Sequence, residues 1–306
     1  MAVLESASNG RRITLGADSL VGRTSNCRLV IHDSSVSREH ARLRFHLGVW
    51  AVRDLNSKNG TFVNERRLGP EVRPLGHNDA LRFGRHLETW RVVDLGEPVA
   101  SAFAPASGER HRAAGGLLAL PPGREPPHLV VFRGPDRGWR VEIEGREEPI
   151  DDQGAIAIEG ETFVLELPPN LDDDSTETVA DVRSLARVEL EFRVSREEEN
   201  VALRVLAPGL SRSFPHRAHH YLLLYLARQR LADRGRGEPE SSCGWVDAEQ
   251  MLGDLRCDAT AANVQIHRAR KQLAELGVSD AGNLVERRGG SRQLRLGVAG
   301  LDIGAL

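Results

Sequence analysis

Apolar and polar residues alternate in short runs through residues 11–95, as in "RRITL", "CRLVI", "ARLRFHL", "VWAVRDL", "TFVN" and "ALRFG". A two-residue rhythm puts successive side chains on opposite faces of a strand, and regular polar or glycine-bearing breaks predict an all-β sandwich. Residues 96–126 are rich in Ala, Gly and Pro with no sustained period, which predicts a linker. Strand-like runs return at "HLVVF", "WRVEI" and "TFVLEL". Residues 127–185 therefore read as a β-rich segment of unassigned role that ends in an acidic loop, "NLDDDSTETVADV".

The pattern then changes. Two further strand candidates, "RVELEFRV" and "VALRVL", lead into "HRAHHYLLLYLARQRLA", a long apolar-rich helix ending near Gly235. "VDAEQMLGDL" predicts a second helix with Asp247 near its start. "TAANVQIHRARKQLAELG" predicts a third, opened by Thr260 as N-cap and closed by Gly277. "NLVERRGGSRQLRLG" reads as a hairpin turning at Gly289 and Gly290. The expected fold class is multidomain, an all-β sandwich followed by an α+β domain over residues 186–300.

A chain of 306 residues with 40% hydrophobic and 28% charged positions is long and apolar enough to bury more than one core. No apolar run approaches the roughly 20 residues of a membrane span, and "MAVLESASNGRR" lacks the basic-then-apolar order of a secretory signal. Cys27, Cys243 and Cys257 are odd in number and far apart, which points to neither a disulfide framework nor a zinc site. A cytoplasmic protein without metal or cofactor is the expectation. The net charge of -3 conceals an uneven distribution, with residues 11–95 at +6, 127–200 at -12 and 207–306 at +3. Basic ends around an acidic middle point to anionic partners.

The segment "SVSREH" brings Ser37, Arg38 and His40 close together. A nucleophile with its base is one reading, but no third orienting group or oxyanion loop accompanies them. Gly22 and Arg23 precede the segment, and "NSKNGTFVN" follows from Asn56 to Asn64. These three motifs, in this order and spacing, resemble the forkhead-associated (FHA) domain, a β-sandwich that binds phosphothreonine peptides. A phosphate dianion needs a fixed guanidinium together with hydroxyl or amide donors. Arg23, Ser37, Arg38 and the Asn59-Gly60 turn offer these, with Gly60 permitting a positive φ. The resemblance implies that Arg23 and Ser37 hold the phosphate and Asn59 the peptide backbone. It also implies that Gly22, His40 and Gly60 are structural, His40 bracing the loop. Lys58 stands where many FHA domains carry a small hydroxyl residue, which bears on side-chain preference around the phosphothreonine. A sandwich with polar loops and no ligand stays open as the bland alternative.

Strands, three helices and a hairpin over residues 186–300 resemble the winged helix of OmpR-type effector domains. On the third helix Ala262, Ile266, Ala269, Leu273 and Leu276 form one apolar stripe, and Asn263, Gln265, His267, Arg268, Arg270 and Lys271 lie on other faces. Basic and amide side chains on an outer face suit the DNA major groove, while Arg287, Arg288, Arg292 and Arg295 on the hairpin suit phosphates or the minor groove. A merely solvated charged face, or a winged helix used for protein contacts, is the alternative. Together these features predict a bacterial, non-enzymatic regulator that couples a phosphothreonine partner, a Ser/Thr kinase or its substrate, to DNA; the other reading is an adaptor. Homodimerisation is left open. Thr176 and Thr178, in the acidic loop, are candidate phosphoacceptors for the protein's own FHA site.

Overall fold

The computed structural model describes residues 1–46, 48–168 and 183–306. Thr176 and Thr178 lie outside the described residues. Two compact units divide the chain, one made of residues 1–99 and 166–168, the other of residues 100–165 and 183–306.

The first unit has eleven strands: β1 (Ala2–Ser6), β2 (Arg12–Thr14), β3 (Asp18–Gly22), β4 (Leu29–Val30), β5 (Ala41–His46), β6 (Val49–Asp54), β7 (Thr61–Val63), β8 (Arg66–Arg67), β9 (Arg73–Pro74), β10 (Ala80–Phe83) and β11 (Trp90–Leu95). They form a six-stranded sheet in the order β2-β1-β11-β10-β7-β8 and a five-stranded sheet in the order β4-β3-β5-β6-β9. Alternation does what the sequence predicts. In β5, Ala41, Leu43 and Phe45 are buried while Arg42 and Arg44 face outward. Leu4, Leu29, Leu43, Trp50, Leu81, Phe83 and Trp90 fill the core between the sheets. The expected boundary at residue 11 is too late. "AVLES" shows no alternation of polarity, but its burial alternates in the fold, and β1 pairs with both β2 and β11 inside the six-stranded sheet.

The second unit begins in what the composition predicts to be a linker. Residues 96–126 carry β12 (Ser101–Ala104), β13 (Glu109–Arg112) and β14 (Leu118–Leu120). Short strands of small residues between glycine turns show little periodicity, yet Ala102, Ala104, Leu118 and Leu120 are buried. β15 (Leu129–Arg133), β16 (Trp139–Ile143), β17 (Arg146–Pro149), β18 (Ala155–Ile158) and β19 (Glu161–Glu166) follow. Two four-stranded sheets result, β13-β12-β19-β18 and β14-β15-β16-β17.

The remainder runs β20 (Glu189–Val194), β21 (Val201–Ala207), β22 (Leu210–Phe214), α1 (Ala218–Gly235), β23 (Val246–Asp247), α2 (Ala248–Leu255), α3 (Ala259–Glu275), β24 (Val285–Arg287), β25 (Gln293–Leu296) and β26 (Gly300–Ala305). β26 extends past the expected boundary at residue 300 and pairs in parallel with β20, completing the sheet β22-β21-β20-β26. Asp247 caps α2 through the backbone nitrogens of Glu249 and Gln250, as its position predicts. Asp258, not Thr260, caps α3: its carboxylate accepts the backbone N–H of Ala261. One apolar core joins the helices to the first half of the unit, since Leu117, Val130 and Phe132 cluster with Leu222, Ile266, Leu273 and Leu294. No helix among the described residues is long and apolar enough to cross a membrane.

Candidate functional site

The loops after β3, before β5 and before β7 meet at one end of the sandwich. Backbone bonds do most of the joining: the Arg23 nitrogen donates to the carbonyls of Ser37 and Arg38, each at 3.0 Å. Gly22 makes this approach possible, because a Cβ there would collide with the Arg38 carbonyl. Thr24 adds a hydroxyl bond of 2.8 Å to the same carbonyl.

His40 joins this loop to the next. Its buried imidazole accepts the Ser37 backbone N–H at Nδ1, 3.0 Å away, which leaves Nε2 as the protonated nitrogen. That Nε2–H donates to the Gly60 carbonyl, also at 3.0 Å. Burial pushes the His40 pKa below the ordinary imidazole value and keeps the ring neutral, as both bonds require. The Ser37 hydroxyl accepts the Lys58 backbone N–H at 3.2 Å, and the Asn59 amide donates to the Ser35 carbonyl at 2.6 Å. Gly60 turns the chain with φ +84°.

Asp54, which sequence reasoning missed, holds that turn from beneath. Its carboxylate accepts the hydroxyls of Thr61 at 2.6 Å and Ser57 at 2.7 Å, and the Ser57 nitrogen at 2.9 Å. Burial works against the charge, but these hydrogen bonds prevail and lower its pKa. An acid two residues before "NSKNGT" was the available signal.

The outcome is a hydrogen-bonded floor under exposed cations. Arg23, Arg38 and Lys58 are exposed, and among the described residues none of their charged ends has an ion-pair or hydrogen-bond partner. Guanidiniums beside a partly exposed hydroxyl and a side-chain amide suit a phosphate monoester on an extended peptide. A Ser37–His40 catalytic pair is excluded by the geometry, since His40 meets the backbone nitrogen of Ser37 and gives its other nitrogen to Gly60.

The residues expected to read DNA sit differently. The stripe of Ala262, Ile266, Ala269 and Leu273 is buried as predicted. The flank of α3 next to that stripe, which carries Arg270, is buried too and meets β16 and β17, while Arg268, Lys271 and Glu275 on the far side are exposed. Arg270 is only 1% exposed and donates to Glu142 at 2.8 Å, to Glu147 at 3.4 Å and to the Val285 carbonyl at 2.8 Å. Its guanidinium also lies 4.7 Å from the centre of the Phe132 ring. Arg287 donates to Glu142 at 3.3 Å and to the Asn263 side-chain oxygen at 3.0 Å. Burial works to raise the Glu142 pKa, but the charges of Arg270 and Arg287 outweigh it and hold it at about 2. Glu147 moves the other way, pushed up by burial.

Other members of the set are engaged as well. His267 is half-buried, and burial lowers its pKa. Arg268 pairs with Glu125 at 2.7 Å, with Lys271 at 3.9 Å from the same carboxylate. Arg288 bonds Gln293 at 3.0 Å, Arg292 pairs with Glu249, and Arg295 bonds Glu286 at 2.7 Å. Asn263, Arg270 and Arg287 are thus structural, which corrects their expected place at a groove. Helical spacing reveals one apolar stripe; it cannot reveal that a second sheet covers the flank carrying Arg270.

Residues 19–84 match the family model described as FHA domain, so the chain carries an FHA domain there. FHA domains bind phosphothreonine-containing partners. The chain is 40% identical over 78 residues to FHA domain-containing protein FhaB of Mycobacterium tuberculosis, a match covering 25% of this chain and 50% of that protein. It is 34% identical over 79 residues to the oxoglutarate dehydrogenase inhibitor of Corynebacterium efficiens, covering 26% and 51%. The chain thus spans about half the length of these curated relatives. Among solved structures, Mycobacterium tuberculosis EmbR in complex with a low affinity phosphopeptide is 25% identical, with a TM-score of 0.29, covering 31% of this chain and 25% of that one.

Proposed function

We propose that the FHA domain captures a phosphothreonine on a partner protein, a Ser/Thr kinase or a kinase substrate, and that the chain works as a non-catalytic adaptor. Arg23 and Ser37 take the phosphate, Arg38 and Lys58 add positive charge around it, and Asn59 holds the peptide backbone. One observation carries this reading: the Arg23 backbone N–H donates to the Ser37 carbonyl and the Lys58 backbone N–H to the Ser37 hydroxyl, while the cationic ends of Arg23 and Lys58 stay unpaired among the described residues. Its test is binding of a phosphothreonine peptide to the full chain. Arg23→Ala is expected to weaken binding by at least about ten-fold, as losing a charge-assisted bond worth roughly 1.5–3 kcal/mol demands. Equal affinity for the phosphorylated and unphosphorylated peptides would refute it.

A phosphothreonine-dependent transcriptional regulator is the second reading. The succession of strands, three helices and hairpin favours it, as do the exposed Arg288 and Arg292 at the hairpin tip. The burial of Arg270 and the tethering of Asn263 to Arg287 place the adaptor first. Retention on duplex DNA at low salt that falls steeply as salt rises would reverse that order.

A further inference from the structure

In the second unit, the start of α1 lies against α3. Arg268, Lys271, Gln272 and Glu275 recur at three- and four-residue intervals, so they share one flank of α3. Together with Arg217 and His219 at the start of α1 they line an open cleft. Its volume of about 490 Å³ falls inside the range of roughly 300–1,000 Å³ typical of small-molecule sites. Glu125, on the connection from β14 to β15, lines it as well.

The cleft gathers hydrogen-bond donors that the described residues leave unused. Gln272 is only 5% exposed, and its amide oxygen accepts the Nε2–H of His219, with the Nε2 of His220 3.2 Å from the same oxygen. Burial lowers the pKa of His219 and keeps that ring a neutral donor. The amide nitrogen of Gln272, also buried, has no partner among the described residues. A buried donor without an acceptor is costly, and a bound acceptor removes that cost. α1 adds its own donors, because first-turn N–H groups have no acceptor inside a helix. Its N-cap residue, Arg217, supplies no side-chain cap, and its first turn carries no acidic residue. The positive end of the helix is therefore left for an anion. The exposed Arg217 guanidinium lies 5.7 Å from the centre of the Phe214 ring and has no ion-pair or hydrogen-bond partner among the described residues.

Two carboxylates narrow the class of ligand. Glu125 accepts from Arg268 at 2.7 Å, with Lys271 at 3.9 Å, so these two cations already hold an internal anion. Glu275 has no ion-pair partner among the described residues. Both acids repel a polyanion such as duplex DNA, but one compact oxyanion needs only Arg217, the helix end and the Gln272 amide. We propose that the cleft between α1 and α3 binds a small molecule through a single phosphate or carboxylate group. Arg217, the N-terminus of α1 and the amide nitrogen of Gln272 hold that group, and Glu125 competes with it for the positive charge. This site is separate from the phosphothreonine site of the FHA domain and does not depend on it.

The experiment is isothermal titration calorimetry on the full chain carrying Arg23→Ala, so that anion binding at the FHA loops does not contribute. The probes are inorganic phosphate and succinate, with sodium chloride at matched ionic strength as control. Saturable binding of one of the two oxyanions is expected, phosphate assigning a phosphoryl group to the ligand and succinate alone a carboxylate. Arg217→Ala in the same background is expected to weaken that binding by at least about ten-fold, the scale of one charge-assisted bond. Glu125→Gln is expected to strengthen it by about three-fold by removing a competing charge, a gain that a folding defect does not produce. No saturable binding of either oxyanion, an equal response to chloride, or an Arg217→Ala chain that binds as before overturns the site. Binding seen in the wild type but lost in Arg23→Ala belongs to the FHA loops and overturns it too. Weaker binding in Glu125→Gln overturns the role of Glu125 as competitor.

Discussion

The Nδ1 of His40 lies 3.0 Å from the backbone nitrogen of Ser37, and this bond orients the hydroxyl that the FHA site presents. Because the ring's other nitrogen holds the Gly60 carbonyl, one buried side chain sets the spacing of two loops. His40→Ala leaves the Ser37 backbone N–H without a partner, at a cost of roughly 1–3 kcal/mol, and takes from the Gly60 carbonyl one of its two donors, the Gly84 N–H remaining. The expected result is a lower midpoint in urea together with weaker phosphopeptide binding. An unchanged midpoint would contradict the bracing role.

The same residue sets a pH response. Burial lowers the folded pKa of His40, so below the ordinary imidazole value near 6.5 the unfolded chain binds the extra proton first. Its contribution is intact above that value and is lost as pH falls through it. Urea midpoints measured from pH 7.5 to 5 are expected to decline, and to decline less in His40→Ala.

Gly22 faces the Arg38 carbonyl at a distance that leaves no room for a methyl group. Gly22→Ala forces the β3 end away from the Ser37 loop, at a cost of about 1–3 kcal/mol. Calorimetry is expected to show that loss, with phosphopeptide affinity reduced even though Arg23, Ser37 and Asn59 remain.

Arg270→Ala removes the counter-ion of a buried carboxylate, Glu142, and is expected to destabilise the second unit by roughly 3–5 kcal/mol. If α3 instead presented Arg270 to a groove, the substitution would leave the melting temperature unchanged and affect DNA retention alone. Acid acts on the same cluster. Glu142 is held at about 2, so its contribution is present above the ordinary glutamate value of 4.5 and fades as pH falls toward 2. Glu147, pushed up, takes a proton more readily when folded and opposes that loss. Glu142→Gln is expected to flatten the acid limb of the stability profile.

Asp258→Ala leaves the Ala261 N–H at the start of α3 uncapped and is expected to cost about 1 kcal/mol. Thr260→Ala, by contrast, is expected to leave thermal stability within about 0.5 kcal/mol, as for an exposed position with no cap to lose.

Legibility in the sequence followed the strength of local rules. β5 and β6 announce themselves because one face is buried and the other wet, and Gly22, Ser37, His40 and Asn59 stand at fixed offsets around them. β12 and β14 escaped notice because Ala, Gly and Pro give no contrast between faces, although the burial of Ala102 and Leu118 is complete or nearly so. Asp258 and Thr260 are both residue types that cap a helix, and only the hydrogen bond to Ala261 decides for Asp258. The burial of Arg270 depends on Glu142, 128 positions earlier in the chain. No window of local sequence contains both partners.

The parallel pairing of β26 with β20 has a consequence for synthesis on the ribosome. The six-stranded sheet of the first unit has all its strands once Leu95 has emerged, so the phosphate-reading loops can assemble while translation continues. The sheet that contains β20 must wait more than a hundred residues for Gly300–Ala305. Until then β20 lacks its parallel neighbour, and the nascent protein passes through an interval in which its reader is finished and its second unit is still an open edge.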